Sequence, residues 1–143
     1  IGTSAGGVGT LTGDENVGVG AFALGTAGAA NNNVAVGRNA GRNVTGNKNT
    51  LIGNSAGNNV TSGDGNVILG AVNALSATGD RQLLIAGNDG STTTTWITGA
   101  SNGQVTMTLA ANQITSTQLT GAVSLQILSS DGTVVKTLFG AGS

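Results

Sequence analysis

The chain has 143 residues, with 26 glycines and no proline, cysteine or histidine; 8% of its residues are charged and its formal net charge is −1. The five cations, Arg38, Arg42, Lys48, Arg81 and Lys136, are scattered. They make no electrostatic footprint for nucleic acid, and no apolar run reaches the roughly 18 residues of a membrane-spanning helix, so neither nucleic acid nor membrane insertion is expected. Glycine without proline or a three-residue period excludes collagen, and regular aliphatic spacing separates the chain from a Gly/Ser linker.

Residues 1–82 read as a repeat array. An apolar-Gly pair recurs at Ile1-Gly2, Val19-Gly20, Val36-Gly37, Ile52-Gly53 and Leu69-Gly70, with a degraded copy at Ile85-Ala86-Gly87; successive separations are 18, 17, 16, 17 and 16 residues. That period is too short for a helix pair or a propeller blade. It is the length of one coil of a β-solenoid or of an interwound β-fibre. Three residues before each pair stands Asn16, Asn33, Asn49 or Asn66, with Gln82 before the degraded copy. Stacked side-chain amides bond from coil to coil, so this column is expected to be an internal ladder rather than a ligand site. Gly13, Ala30, Gly46, Gly63 and Gly79 mark a turn column, and Ala5, Ala23, Ala40 and Ala56 a corner column that Asn73 breaks. Leu24, where other copies have glycine, predicts local strain or an outer loop. Length differences fall after the corner, at 25–29 and 58–61, which are expected to be outer loops.

Between Asn and Gly lie three-residue strand cores: Val17-Gly18-Val19, Val34-Ala35-Val36, Thr50-Leu51-Ile52, Val67-Ile68-Leu69 and Leu83-Leu84-Ile85. Side chains alternate along a strand, so the outer two columns share a face and the middle column takes the other. The outer columns are nearly all aliphatic and are expected to be the core. The middle column, Gly18, Ala35, Leu51, Ile68 and Leu84, grows apolar towards the C-terminal end and also requires a cover.

Residues 83–102 read as a capping or transition segment, with a loop at Asn88-Asp89-Gly90 and the only tryptophan, Trp96, expected as a cap or hub closing the core. Residues 103–143 read as a C-terminal β-stem: strands at Val105 to Leu109, Ala122 to Leu128 and Thr133 to Phe139, the last two joined by a turn at Ser130-Asp131-Gly132. Thr and Val dominate here and helix-capping signals are missing.

Chemistry has little to work with. The only acids are Asp14, Glu15, Asp64, Asp80, Asp89 and Asp131, best read as solvated turn carboxylates, so no enzyme is expected. Gly6-Gly7-Val8-Gly9 opens like a calcium-binding nonapeptide but lacks the aspartate that should follow. The hydroxyl column Thr12, Thr45, Ser62 and Thr78 is interrupted at Ala29 and suits turn capping better than an ice-binding array. Asn43-Val44-Thr45 and Asn59-Val60-Thr61 fit the glycosylation pattern, which is idle outside a eukaryotic secretory setting. The sequence thus offers no catalytic, cofactor-binding or metal residues. What it offers are structural repeat positions: Asn16, Asn33, Asn49 and Asn66; Val19, Val36, Ile52 and Leu69; Gly20, Gly37, Gly53 and Gly70. Two or three buried aliphatics per coil fall short of the entropy lost in ordering it, which predicts a homo-oligomer.

The pattern Asn-x-x-Ile-Gly-x-x-Ala-Gly, seen at Asn49 to Gly57 and again in Asn33 to Gly41, resembles the repeats of phage tail fibres and of trimeric autotransporter adhesin heads, the former more closely. Leu83 to Asn88 and Trp96 to Gly99 are similar to the segment that follows such repeats in tail fibres. Phe139 to Ser143 looks like the junction before a self-cleaving C-terminal chaperone, whose removal would leave a mature product. The resemblance implies an all-β, trimeric β-solenoid or interwound triple-stranded β-helix fibre. It implies a structural role in a virion tail fibre, as a stiff rod in host attachment, with a homotrimer, other tail or fibre subunits and a host cell-surface receptor, glycan or outer-surface protein, as partners. Alternatives are the head of a bacterial surface adhesin and a polysaccharide-cleaving tailspike.

Overall fold

A computed structural model describes residues 12–108 in full and, beyond them, the backbone of two strands at 124–128 and 134–139. The first apolar-Gly pair, Ala5, Gly6 to Gly9, Leu109, the stretch 115–119, the turn at 130–132 and the end at 140–143 lie outside the described residues. The chain divides into two compact units between Thr108 and Leu109.

The first unit is all-β, with no helix among the described residues, and forms a β-solenoid of about four turns. Five strands stack in parallel: β1 (Val17–Val19), β2 (Val34–Val36), β3 (Thr50–Ile52), β4 (Val67–Leu69) and β5 (Leu83–Asn88). Val17 pairs with Val34, Val34 with Thr50, Thr50 with Val67 and Val67 with Leu83, steps of 17, 16, 17 and 16 residues. β6 (Thr93–Gly99) and β7 (Val105–Met107) then extend the same sheet antiparallel. The second unit shows β8 (Ser124–Leu128) paired antiparallel with β9 (Val134–Phe139).

The first three coils leave their strands at a glycine and fold through two tight turns. In the third, Ala56 N donates to Gly53 O (3.2 Å) and Val60 N to Gly57 O (2.9 Å). The turning backbone also bonds along the stack: Leu24 N donates to Ala40 O (3.0 Å), Gly41 N to Ala56 O (2.9 Å) and Gly57 N to Val72 O (2.9 Å). At Gly53, φ is +139°, and a Cβ would stand 2.6 Å from the carbonyl group of Gly70 in the next coil. Glycine is required there by the left-handed backbone and by the backbone stacked on it.

The core corrects the expected faces. The middle column faces inward: Ala35, Leu51 and Ile68 have no exposed surface and Leu84 is 2% exposed, packed with Ala23, Ala40, Ala56, Val44 and Val60. The outer columns face outward, with Val17 48%, Val19 41%, Ile52 41% and Val67 37% exposed. A three-residue strand offers two side chains to one face and one to the other, and a coil this narrow has room for one. The middle column is therefore covered by its own chain, through the returning turns.

Two further expectations change for the same reason. The post-corner segments are not merely outer loops, since Ala27, Val44 and Val60 reach into the core. In the fourth coil the buried corner alanine is Ala74, one place after exposed Asn73. Leu24 does hold the expected strained geometry, with φ +53° against +55° at Gly41 and +56° at Gly57, yet it is fully buried and no loop. A Cβ on Gly41 would meet Leu51 Cδ1 at 2.6 Å; the middle column is smaller at Ala35, which leaves volume for Leu24.

Candidate functional site

The repeat positions converge on two polar ladders. In the inner one, Asn33 N and Nδ2 donate to Asn16 Oδ1 (3.0 and 3.2 Å), Asn49 N and Nδ2 to Asn33 Oδ1 (2.9 and 3.1 Å), and Asn66 N and Nδ2 to Asn49 Oδ1 (2.9 and 3.0 Å). Three of the four asparagines also reach a turn carbonyl: Asn16 Nδ2 donates to Ala30 O (2.6 Å), Asn33 Nδ2 to Gly46 O (3.0 Å) and Asn49 Nδ2 to Gly63 O (3.0 Å). Asn33, Asn49 and Asn66 are fully buried, so the column is a structural ladder with its hydrogen-bonding capacity used internally.

Gln82 ends this ladder by its extra methylene. Its Nε2 donates to Asn66 Oδ1 (3.0 Å), Gly79 O (2.8 Å) and Ser76 O (2.9 Å), while its Oε1 accepts from Ser76 N (2.8 Å) in its own coil instead of from a following one.

A second ladder, whose Asp14, Asp64 and Asp80 are expected from sequence only as solvated turn carboxylates, runs two residues earlier through Asp14, Asn31, Asn47, Asp64 and Asp80. Here the side chain of each later coil caps the backbone of the earlier one: Asp14 N donates to Asn31 Oδ1 (2.7 Å), Asn31 N to Asn47 Oδ1 (2.9 Å), Asn47 N to Asp64 Oδ1 (2.6 Å) and Asp64 N to Asp80 Oδ1 (2.8 Å). The two ladders therefore point in opposite directions along the stack. The signal was present, since every member of the column is Asn or Asp, the residues whose short side chains reach backbone amides. Between the ladders Glu15, Asn32, Lys48 and Arg81 all take φ between +51° and +59°, a column that composition does not mark.

The outward face carries Val19, Val36, Ile52 and Leu69 in one column and Val17, Val34, Thr50 and Val67 in the other. At the strand spacing of about 4.8 Å they make one continuous aliphatic strip and a second, parallel one interrupted at Thr50, continued by Ile85 and Leu83 to about 20 Å. The corner glycines Gly20, Gly37, Gly53 and Gly70 border them, with φ from +117° to +139°.

Asp64 and Asp80 each cap a backbone amide of the preceding coil, Asp14 has its own amide capped by Asn31, and among the described residues no group of three metal-ligating side chains gathers. Asp89 sits in the β5–β6 turn, where Oδ1 accepts from Thr92 N (2.7 Å) and Ser91 N (2.9 Å); these bonds hold its carboxyl below the usual 3.8. Both sequon amides are engaged, Asn43 Nδ2 with Asn58 O (2.8 Å) and Asn59 Nδ2 with Ala74 O (2.9 Å).

Comparison with family models, with curated proteins and with solved structures gives no match.

Trp96 departs from its expected place. It closes no core: it is 50% exposed, and its ring edge rests on Gly87, where a Cβ would stand 2.6 Å from Cη2.

Proposed function

We propose that the chain is a structural module of a homotrimeric fibre of the phage tail-fibre kind, a stiff virion rod that takes part in host attachment and performs no catalysis. The observation that carries this reading is the pair of aliphatic strips on the outside of the stack. Isolated exposed aliphatics are ordinary, but a contiguous apolar strip, here Val19, Val36, Ile52, Leu69 and Ile85 beside a second broken only at Thr50, marks an interaction surface. These strips follow the same steps of 17, 16, 17 and 16 residues as the backbone ladder. Another copy of the chain presents strips of identical spacing, so copies aligned along a common axis match coil for coil. The number three, the receptor on the host surface and the neighbouring fibre subunits follow from the resemblance in the Asn-x-x-Ile-Gly repeats. Stiffness has a source in the stack, where backbone, inner amides and outer Asx side chains each tie every coil to the next.

Mass measurement tests the reading. Sedimentation equilibrium is expected to give a trimer, and electrophoresis in SDS without heating a band at trimer mass. The double substitution Ile52→Asp with Val67→Asp, on outward positions, is expected to abolish the trimer. A wild-type chain that stays monomeric and fully folded at high dilution overturns the proposal.

A further inference from the structure

The β5–β6 hairpin carries a second feature, lateral to the aliphatic strips. Pairing of β5 with β4 stops at Ile85, while pairing of β5 with β6 runs on to Asn88 opposite Thr93. The hairpin thus overhangs the parallel sheet by three residues, about 10 Å. On this overhang lies a hollow of about 320 Å³ lined by Gly87, Asn88, Asp89, Thr92, Thr94 and Trp96. Its volume is at the small end of ligand sites, suited to one compact polar molecule.

The geometry points to a site for a single neutral hexopyranose ring, with Trp96 as the stacking platform and Asp89, Thr92 and Thr94 as hydroxyl partners. The platform is braced: the indole rests on Gly87, the one residue type that leaves it room, and half its surface stays open. A sugar ring has an apolar C–H face that suits an aromatic surface and a rim of hydroxyls that needs acceptors and donors. The acceptors are fixed in advance. Asp89 Oδ1 is held by Ser91 N and Thr92 N, and Asn88 is locked by Nδ2 to Thr93 Oγ1 (2.6 Å) and by Gly90 N to Oδ1 (2.7 Å). That leaves Asp89 Oδ2 and the hydroxyls of Thr92 and Thr94 with no partner among the described residues. A carboxylate with no cation in the lining disfavours acidic sugars, which narrows the class to neutral ones. This site gives the fibre reading a point of contact with a host surface and rests on that reading for its biological sense.

The test uses the assembled full chain and its own fluorophore, since Trp96 is the only tryptophan and there is no tyrosine. Titration with the methyl glycosides of glucose, galactose and mannose is expected to give a saturable change in tryptophan emission with at least one of them, at about millimolar concentration. Glucuronate is expected to give none. Asp89→Asn, which keeps the turn's acceptor but loses the charge, is expected to weaken binding roughly tenfold, and Thr94→Ala, on an exposed strand position, to weaken it less. Circular dichroism and SDS-resistant mass show that each variant is still assembled. No saturable change with any of the three glycosides, an equal response to glucuronate, or unaltered affinity in Asp89→Asn overturns the site. So does an emission in the assembled protein that acrylamide cannot quench, because a neighbouring copy then covers the indole. Trimer mass without a sugar response removes this inference alone; monomer mass removes the fibre reading.

Discussion

The parallel stack and the antiparallel end belong to one sheet but are held in register by different means. In the stack, each residue's neighbours are its own equivalents one coil away, so a favourable side chain becomes a column and each copy supports two others. At β6 and β7 the chain reverses, equivalence is lost, and register passes to hairpin turns such as Asn88 to Thr92 and to the irregular step between Ile85 and Ala86. Burial falls with it: Val105 and Met107 are 57% and 55% exposed, whereas Asn49 and Asn66 are fully buried. Columns can hold polar groups inside a small core because each amide finds its twin.

The contrast can be broken first where backbones touch. Gly53→Ala adds a methyl against Gly70 at a left-handed φ, and its expected cost is about 3–6 kcal/mol, read as a drop in thermal midpoint. Asn49→Ala comes next. It strips partners from Asn66 N and Gly63 O inside the stack, and denaturant unfolding should show a loss of about 2–5 kcal/mol. The outer ladder, being in water, is expected to matter less: Asp64→Ala should cost about 0.5–1.5 kcal/mol. Asp80→Asn preserves the cap on Asp64 N while removing one of two stacked like charges, so a gain of a few tenths of a kcal/mol, larger at low salt, is expected.

The antiparallel end supplies the smallest effect. Asp89 has a carboxyl pKa lowered by the amides of Thr92 and Ser91, so its ionised form is favoured in the folded turn. The stabilisation is present above 3.8 and disappears as pH falls through the lower, folded-state value. Amide exchange of the hairpin should accelerate in that acid window in the wild type but not in Asp89→Ala. Identical acid profiles for the two proteins would separate the turn's stability from that carboxylate.

Much of this was legible because the sequence repeats. The strands β1 to β4 fall on the triplets between Asn and Gly, and the inner ladder follows from Asn16, Asn33, Asn49, Asn66 and Gln82. What alternation does not encode is which face is inside. Val17 and Val19 are greasier than Gly18, so hydrophobicity alone points the wrong way; coil width decides, and a narrow interior selects the single central residue. Trp96 misled for a related reason, since a large ring suggests a plug, whereas the bulge beside it and the bare Gly87 lay it on the surface. The left-handed column of Glu15, Asn32, Lys48 and Arg81 had no compositional signature, because a solvent-facing side chain of any kind serves once neighbouring bonds hold the backbone.

Gln82 gives the array a stop. Upstream of it every coil presents the next one with an open amide acceptor, so a duplicated stretch of 16 or 17 codons could slip in between Asn16 and Asn66 and find its contacts waiting. Downstream it could not, because the glutamine has folded its oxygen back onto Ser76. A gene built this way can change the reach of its product by copying error, one coil at a time, while the far end keeps its form.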